Sequence, residues 1–113
     1  MPEMPAPATY LMEIPAALVP HIVLPRLELL SEARTRGAEC VWGGERLTGE
    51  TAIDLGVHTD NGVRWFPRAC RRCTRSAVRS ARDKHPDRCT ECSPAALCDI
   101  RRALHDLLLE LRR

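Results

Sequence analysis

Six cysteines carry the chemistry that this sequence is best equipped to perform. Four of them form two Cys-x2-Cys pairs separated by fifteen residues: Cys70 with Cys73, and Cys89 with Cys92. A Cys-x2-Cys turn brings two sulfurs within reach of one ion, and two such turns about 15–20 residues apart are typical of a zinc site. Cys40 precedes the pairs and Cys98 follows them. The spacing therefore predicts a protein stabilised by one or two zinc ions.

The two pairs could share one ion or belong to two sites. In the one-ion arrangement a single ion is bound by Cys70, Cys73, Cys89 and Cys92. A helix between the pairs opposes this arrangement, because at about 1.5 Å per residue it carries the chain roughly 20 Å from Cys70 by Lys84. The few residues before Cys89 could barely bring the chain back. The sequence therefore favours two sites.

The first of the two sites would follow the order of a treble-clef zinc finger: a knuckle, a β-hairpin, and a helix with Cys-x2-Cys in its first turn. Here these parts would be Cys40 with its Gly-Gly turn, a hairpin over 51–66, and the first cysteine pair. A full knuckle has the sequence Cys-x2-Cys-Gly, whereas Gly43 stands in the place of its second cysteine. Three sulfurs would remain, completed by water, His58 or a nearby carboxylate, unless the site has lost its metal.

The second site would consist of His85-x3-Cys89-x2-Cys92-x5-Cys98. Cys98 falls in the first turn of the last predicted helix, roughly 80–100° from the leucine stripe on which a buried apolar cysteine would be expected. Helix N-termini at both sites would stabilise thiolates. Otherwise Cys40 and Cys98 would be small buried hydrophobic residues. Three disulfides or a thioredoxin-like redox pair would also account for the cysteines, but both are disfavoured in a cytosolic chain without a βαβ pattern.

The sequence predicts no enzyme. A zinc site with an open coordination position could be catalytic. Hydrolytic or deaminase-like chemistry also needs a general base beside the metal-bound water. Neither His-x-Glu nor His-Glu-x-x-His occurs in the chain.

At 113 residues the chain suffices for one domain. We predict an α+β fold, a small zinc-stabilised domain with a treble-clef-like knuckle, β-hairpin and helix, an N-terminal helix and a C-terminal amphipathic helix. Residues 1–14 are Pro-rich and are predicted to form a flexible arm. The domain over 15–113 would contain an N-terminal segment and helix (15–37), a hairpin and basic helix (38–84), and the second cysteine cluster with the last helix (85–113).

Proline and glycine signals define the shorter elements. A proline at its first position and a glycine just after its end predict a helix over about 25–36. Asn61-Gly62 predicts a hairpin turn between the apolar runs 51–58 and 63–66.

Arginines dominate the helix predicted from Arg68 to Lys84. At about 100° per residue, five of them fall within about 80° of arc, opposite the first cysteine pair. Such a face suits the phosphate backbone of a nucleic acid. Nucleic acid is therefore the leading predicted partner, and DNA is favoured over RNA. The predicted contacts are Arg68, Arg71, Arg72, Arg75, Arg79 and Arg82. Alternatively this face is solvated, or its arginines pair with acids near the hairpin: Glu39, Glu45, Glu50 and Asp54.

The last helix supports a rival hypothesis, a protein-interaction adaptor or regulatory partner. Ser93 as cap and Pro94 in the first turn would begin it. Its apolar stripe, about 100° wide, comprises Leu97, Ile100, Leu104, Leu107, Leu108 and Leu111. The stripe could pack on the 25–36 helix, or it could form a homodimer or a partner interface. Monomer and homodimer both stay open.

The N-terminal region does not resemble a secretory signal. Its first 25 residues contain no Lys or Arg, and prolines interrupt the apolar run. No window approaches the roughly 18 apolar residues of a membrane span. We therefore predict a cytoplasmic protein without membrane contact.

From about residue 27 to its end, the chain resembles a group of small, cysteine-rich, zinc-finger-like actinobacterial (Streptomyces-type) proteins. The resemblance rests on LELLSEARTRGAECVW, AIDLG, RWFPRACRRC, the spacing of the second site and RRALHDLLLELRR. In that group a cysteine stands at the place of Gly43. The resemblance implies the two-site arrangement and brings no activity with it.

Overall fold

The structure is a computed structural model that describes residues 12–90, 92 and 98–112. Within these residues the chain forms two small β-sheets and three α-helices, which confirms the predicted α+β class. The first eleven residues of the predicted arm lie outside the described part of the chain, as do the helix start predicted at Ser93 and Pro94 and the stripe residue Leu97.

The N-terminal segment joins a sheet earlier than predicted. Strand β1 (Met12–Glu13) pairs in parallel with β2 (Ile53–Asp54). The next residue, Ile14, is buried, and its N–H donates to the Asp54 carbonyl at 2.9 Å. The prediction of an arm that extends to residue 14 is therefore wrong at its end, because backbone pairing and burial hold 12–14 on the domain.

The helix predicted over 25–36 is broken into two pieces. A 3-10 turn covers Leu27–Leu29, and α1 covers only Glu32–Thr35. Between them Leu30 is extended, and the Ser31 hydroxyl accepts the Arg34 N–H at 3.2 Å. Ser31 therefore acts as an N-cap that starts a new helix in the middle of the predicted one.

The Asn61-Gly62 turn forms as predicted, but its hairpin is shorter. Strands β3 (His58–Asp60) and β4 (Val63–Trp65) pair across it, and both turn residues have positive φ, +52° and +79°, as a type I′ turn requires. The earlier part of the run 51–58 belongs to the other sheet, where β2 lies between β1 and β5 (Arg68–Ala69). A turn at Gly56 (φ +93°) separates the two sheets along the chain.

Two longer helices, α2 (Arg71–Lys84) and α3 (Asp99–Leu111), pack against each other. A 3-10 turn over His85–Arg88 follows α2 directly. The start predicted for α2 at Arg68 is wrong by three residues. Arg68 and Ala69 pair with β2 in register with Asp54 and Ile53, and this sheet pairing overrides their helical pattern.

The core combines the N-terminal segment, the sheets and one face each of α2 and α3. Its contributors include Leu18, Ile53, Trp65, Val78 and Leu104, all at most 5 % exposed. The leucine stripe of α3 is part of this core, since Leu104, Leu107, Leu108 and Leu111 are buried. None of the helices in the described part of the chain has the length and hydrophobicity that a bilayer crossing needs.

Candidate metal centres

The first cluster forms around a tight turn that follows Cys40. The Cys40 N–H donates to the Glu45 carbonyl at 2.8 Å, and the Gly44 N–H donates to the Cys40 carbonyl at 2.9 Å. Gly44 has φ +79°, in the left-handed region that glycine adopts at low cost. The Gly43 N–H is directed at Cys40 Sγ, 3.3 Å away. These bonds orient the buried Cys40 sulfur toward the N-terminus of α2.

The start of α2 brings two further sulfurs to this turn. Cys70 is the N-cap of the helix, and its Sγ accepts the Cys73 N–H at 3.4 Å. The Cys70 N–H points to Cys40 Sγ at 3.4 Å, and the two sulfurs are 4.0 Å apart. Sulfurs bound tetrahedrally at 2.3 Å from zinc would be separated by about 3.8 Å. The three cysteines predicted for the first site are therefore close enough to share one ion.

Glu45 adds a fourth donor to this cluster. One donor atom each of Cys40, Glu45, Cys70 and Cys73 lies within 4.8 Å of the others. The sequence left the fourth ligand open among water, His58 and a nearby carboxylate. His58 is placed elsewhere: its Nε2 lies 3.0 Å from the Leu55 carbonyl. Glu45 was not among the predicted ligands because only the folded turn brings its carboxylate to the sulfurs.

Two thiols of this cluster, those of Cys70 and Cys73, hold their protons more tightly than an ordinary cysteine, because the pKa of each is raised. Burial and the Glu45 carboxylate raise the pKa of the Cys70 thiol to about 12. Burial also raises the pKa of the Cys73 thiol. The Cys70 thiol donates to the Glu45 carboxylate and holds the pKa of that carboxyl below its usual value. A divalent ion would displace the thiol protons as it bound.

The second cluster comprises His85, Cys89, Cys92 and Cys98, whose donor atoms also lie within 4.8 Å of one another. Cys98 is central: its Sγ is 3.1 Å from His85 Nε2, 3.7 Å from Cys89 Sγ and 3.3 Å from Cys92 Sγ. The structure thus brings together all four residues predicted for the second site. They offer one nitrogen and three sulfurs to a single ion, which fills a tetrahedral shell.

The N-terminus of α3 positions the Cys98 sulfur and lowers the pKa of its thiol. Cys98 is the N-cap of α3, and its Sγ accepts the Arg101 N–H at 3.4 Å. This backbone N–H, helped by the Cys92 and Cys89 thiols and His85, lowers the pKa of Cys98 to about 6. The helix end thus stabilises a thiolate, which is the form that binds metal.

The two clusters lie at opposite ends of α2. The first contains its N-cap, Cys70, and the second begins with His85, directly after its last residue, Lys84. A helix of 14 residues is about 21 Å long. The described residues therefore form two separate groups, and the arrangement with Cys70, Cys73, Cys89 and Cys92 around one ion does not occur among them.

The six arginines predicted to bind nucleic acid fall into different environments. Arg68 lies on β5 and packs against Gly37, so it is not part of the helix. Arg82 is bound to other side chains of the protein. Its Nε is 3.0 Å from Asp83 Oδ1, and its Nη1 is 3.2 Å from His105 Nδ1. The remaining four lie on α2: Arg71, Arg72, Arg75 and Arg79.

Three of these form what we call the arginine face: Arg72, Arg75 and Arg79. Arg72 and Arg79 are exposed and Arg75 is half-buried. Within the part of the chain that the structure describes, neither Arg75 nor Arg79 has an ion-pair or hydrogen-bond partner. The hypothesis that acids near the hairpin neutralise the face therefore finds support only at Arg72, whose charge acts on the Glu45 carboxylate.

Comparisons of the chain with protein-family models, with curated proteins and with solved structures find no match. The two clusters and the arginine face are therefore the features that bear on the function of the protein.

Proposed function

We propose that this protein is a non-enzymatic zinc-binding module that binds nucleic acid, DNA in the first place, through the arginine face of α2. Its biological role would be that of a small regulatory or accessory protein. The observation that carries this proposal is that three arginines with little or no neutralisation share one face of a helix that has a cluster of candidate metal ligands at each end.

The donor sets support zinc as the metal. Three cysteines with one histidine form a common structural zinc site, which leaves no open coordination position for chemistry. Thiolate-rich sets also suit copper(I) and iron–sulfur clusters. The order of the first unit, a tight Cys40 turn, a hairpin and then Cys70 at a helix start, supports a treble-clef-like zinc finger. Both sites are therefore assigned a structural role.

The placement of the clusters supports a role for α2 in binding. An ion at each end would fix the helix against the core, so the arginine face would be held in one orientation before contact. A preformed surface loses less conformational freedom on binding than a flexible one. Guanidinium groups also form bidentate bonds with phosphate. A rigid helix carrying arginines thus suits contacts to a nucleic-acid backbone.

The rival adaptor hypothesis needs an exposed apolar surface on α3, and most of that surface is buried in the structure. The leucine stripe that was to bind a partner lies in the core, with Leu104 and Leu111 fully buried. Leu109, off the stripe, is 46 % exposed. A partner interface on α3 would therefore have a single leucine as its apolar centre, which is too little for a stable complex.

The proposal predicts salt-sensitive binding that the arginine face controls. Zinc-loaded protein should bind labelled duplex DNA in fluorescence anisotropy, with single-stranded DNA and RNA measured alongside. If three phosphates are contacted, log K should fall against log salt with a slope of about −2.7. Reversal of the face by Arg72→Glu, Arg75→Glu and Arg79→Glu should abolish binding. Circular dichroism should show that the triple variant keeps its fold.

A matched control separates local contact from net charge. Arg36, Arg102 and Arg112 are exposed and lie outside α2. Changing these three to Glu alters the net charge equally and should leave most of the binding intact. Equal loss in both triple variants would show only non-specific attraction. Absence of binding to any of the nucleic acids at 50 mM salt would refute the proposed function.

A further inference from the structure

We propose that Glu45 is the fourth ligand of the first centre, in place of the second cysteine of a zinc knuckle. This centre would then have three thiolates and one carboxylate, unlike the second centre with its three thiolates and one imidazole. The inference rests on the proposed binding of zinc by Cys40, Cys70 and Cys73, and names the ligand that this site would otherwise lack.

The position of Gly43 is the first observation behind this assignment. A Cβ added at residue 43 would overlap Glu45 Oε1 and would lie 3.4 Å from Cys73 Sγ. A side chain at residue 43 would therefore start in the space that the Glu45 carboxylate occupies, directly beside the sulfurs. A cysteine at residue 43 and the observed Glu45 rotamer exclude each other.

The backbone gives no other reason for glycine at this position. Gly44, its neighbour, has φ +79° and needs glycine for its conformation, whereas the φ of Gly43 is outside the left-handed region. An ordinary L-residue could adopt the backbone of Gly43. What the structure shows against a side chain there is the Glu45 carboxylate. Gly43 thus makes room for the carboxylate.

Glu45 is also well anchored for a ligand. Its carbonyl accepts the Cys40 N–H at 2.8 Å, so its backbone is fixed to the residue that supplies the first sulfur. Its carboxylate accepts from the Cys70 thiol. Carboxylate oxygens bind zinc at about 2.0–2.2 Å, and their combination with cysteine sulfurs is compatible with its borderline character. Binding of the ion would release the thiol protons.

The surroundings offset the charge of such a centre. Three thiolates and a carboxylate around a divalent ion leave a net charge of about −2. The centre lies at the N-terminus of α2, whose dipole carries roughly half a positive charge there. Arg72 is also near enough to stabilise the Glu45 carboxylate. Both positive contributions, the dipole and Arg72, belong to α2, the helix that the centre would hold in place.

Cadmium-113 NMR tests the assignment, because each bound ion gives its own resonance and sulfur ligands shift it downfield more than oxygen or nitrogen. The protein loaded with cadmium should show two resonances. His85→Cys should move only one, which identifies the second centre. Glu45→Ala should move only the other, and should weaken metal binding at that centre at least about tenfold in a chelator competition.

A compensating variant makes the test specific. Gly43→Cys combined with Glu45→Ala should restore tight binding and shift the first-centre resonance downfield, as a fourth sulfur replaces oxygen. Glu50→Ala, which removes an exposed acid further along the same loop, should change neither resonance. Because Glu45 is exposed, Glu45→Ala should fold, and Glu45→Gln provides a variant of the same size.

The outcomes separate this inference from the proposed function. Two bound ions whose resonances and affinities are unchanged by Glu45→Ala and Glu45→Gln would overturn the assignment of Glu45 and leave the first zinc centre intact with water as its fourth ligand. A single bound ion, at the second centre, would overturn the first zinc centre and the role of Glu45 together. Nucleic-acid binding is not needed for either result.

Discussion

Cys98→Ser should lower the free energy of unfolding of the zinc-bound protein by more than about 4 kcal/mol, the range in which losses of metal ligands fall. Cys98 Sγ is within 3.7 Å of donor atoms of His85, Cys89 and Cys92, so it has the central position in the second cluster. Removal of this sulfur leaves one ion with three ligands at the point where α3 begins.

Serine makes this substitution a selective test of the metal. Cys98 is the N-cap of α3 and accepts the Arg101 N–H. A serine hydroxyl is among the best N-caps, so the helix keeps its cap while the ion loses a thiolate. Thermal unfolding followed by circular dichroism, with free zinc held constant, measures the effect. In excess chelator the variant and the original protein should unfold alike. Equal stability in the presence of zinc would contradict a structural ion in this cluster.

Leu104→Ala should destabilise the protein by about 2–5 kcal/mol. Leu104 is fully buried in the core to which α2 and α3 contribute, and alanine would leave a cavity there. A domain of this size has a total stability of about 5–15 kcal/mol, so the loss would be a large fraction. Urea unfolding at saturating zinc measures it, because metal loss then does not contribute to the difference between variants.

Leu109→Ala is the matched control for this prediction. Leu109 lies on the same helix with 46 % exposure, so its truncation should change stability by no more than about 0.5 kcal/mol. A large cost for Leu109→Ala together with a small cost for Leu104→Ala would place the packed face of α3 on the other side. It would also return the adaptor hypothesis to consideration, because the stripe would then be free.

Spacing alone identified most of the cluster residues. Each Cys-x2-Cys pair is a local unit, and the span from His85 to Cys98 is short enough that its four donors converge without long-range information. The two-site arrangement also followed from length, since a helix between the pairs keeps them apart. The buried stripe of α3 is a periodic signal that depends only on helix geometry.

Element boundaries depended on hydrogen bonds that compete with the helical pattern. Arg68 continues the helical pattern of α2, but pairing with Asp54 places it in a strand. Ser31 interrupts the helix predicted over 25–36 by capping a new one. In both cases a competing hydrogen bond outweighs a weak propensity.

The class of fold, seven candidate ligands and the concentration of arginine could be predicted without the structure, because they follow from residue types and short-range spacing. The folded chain shows in addition that Glu45 reaches the first cluster and that His58 does not. It also shows that Arg68 lies in a strand and that Arg82 contacts other side chains of the protein. These outcomes depend on contacts between residues that the chain brings together by folding. Spacing in the sequence does not show which of these contacts the folded chain forms.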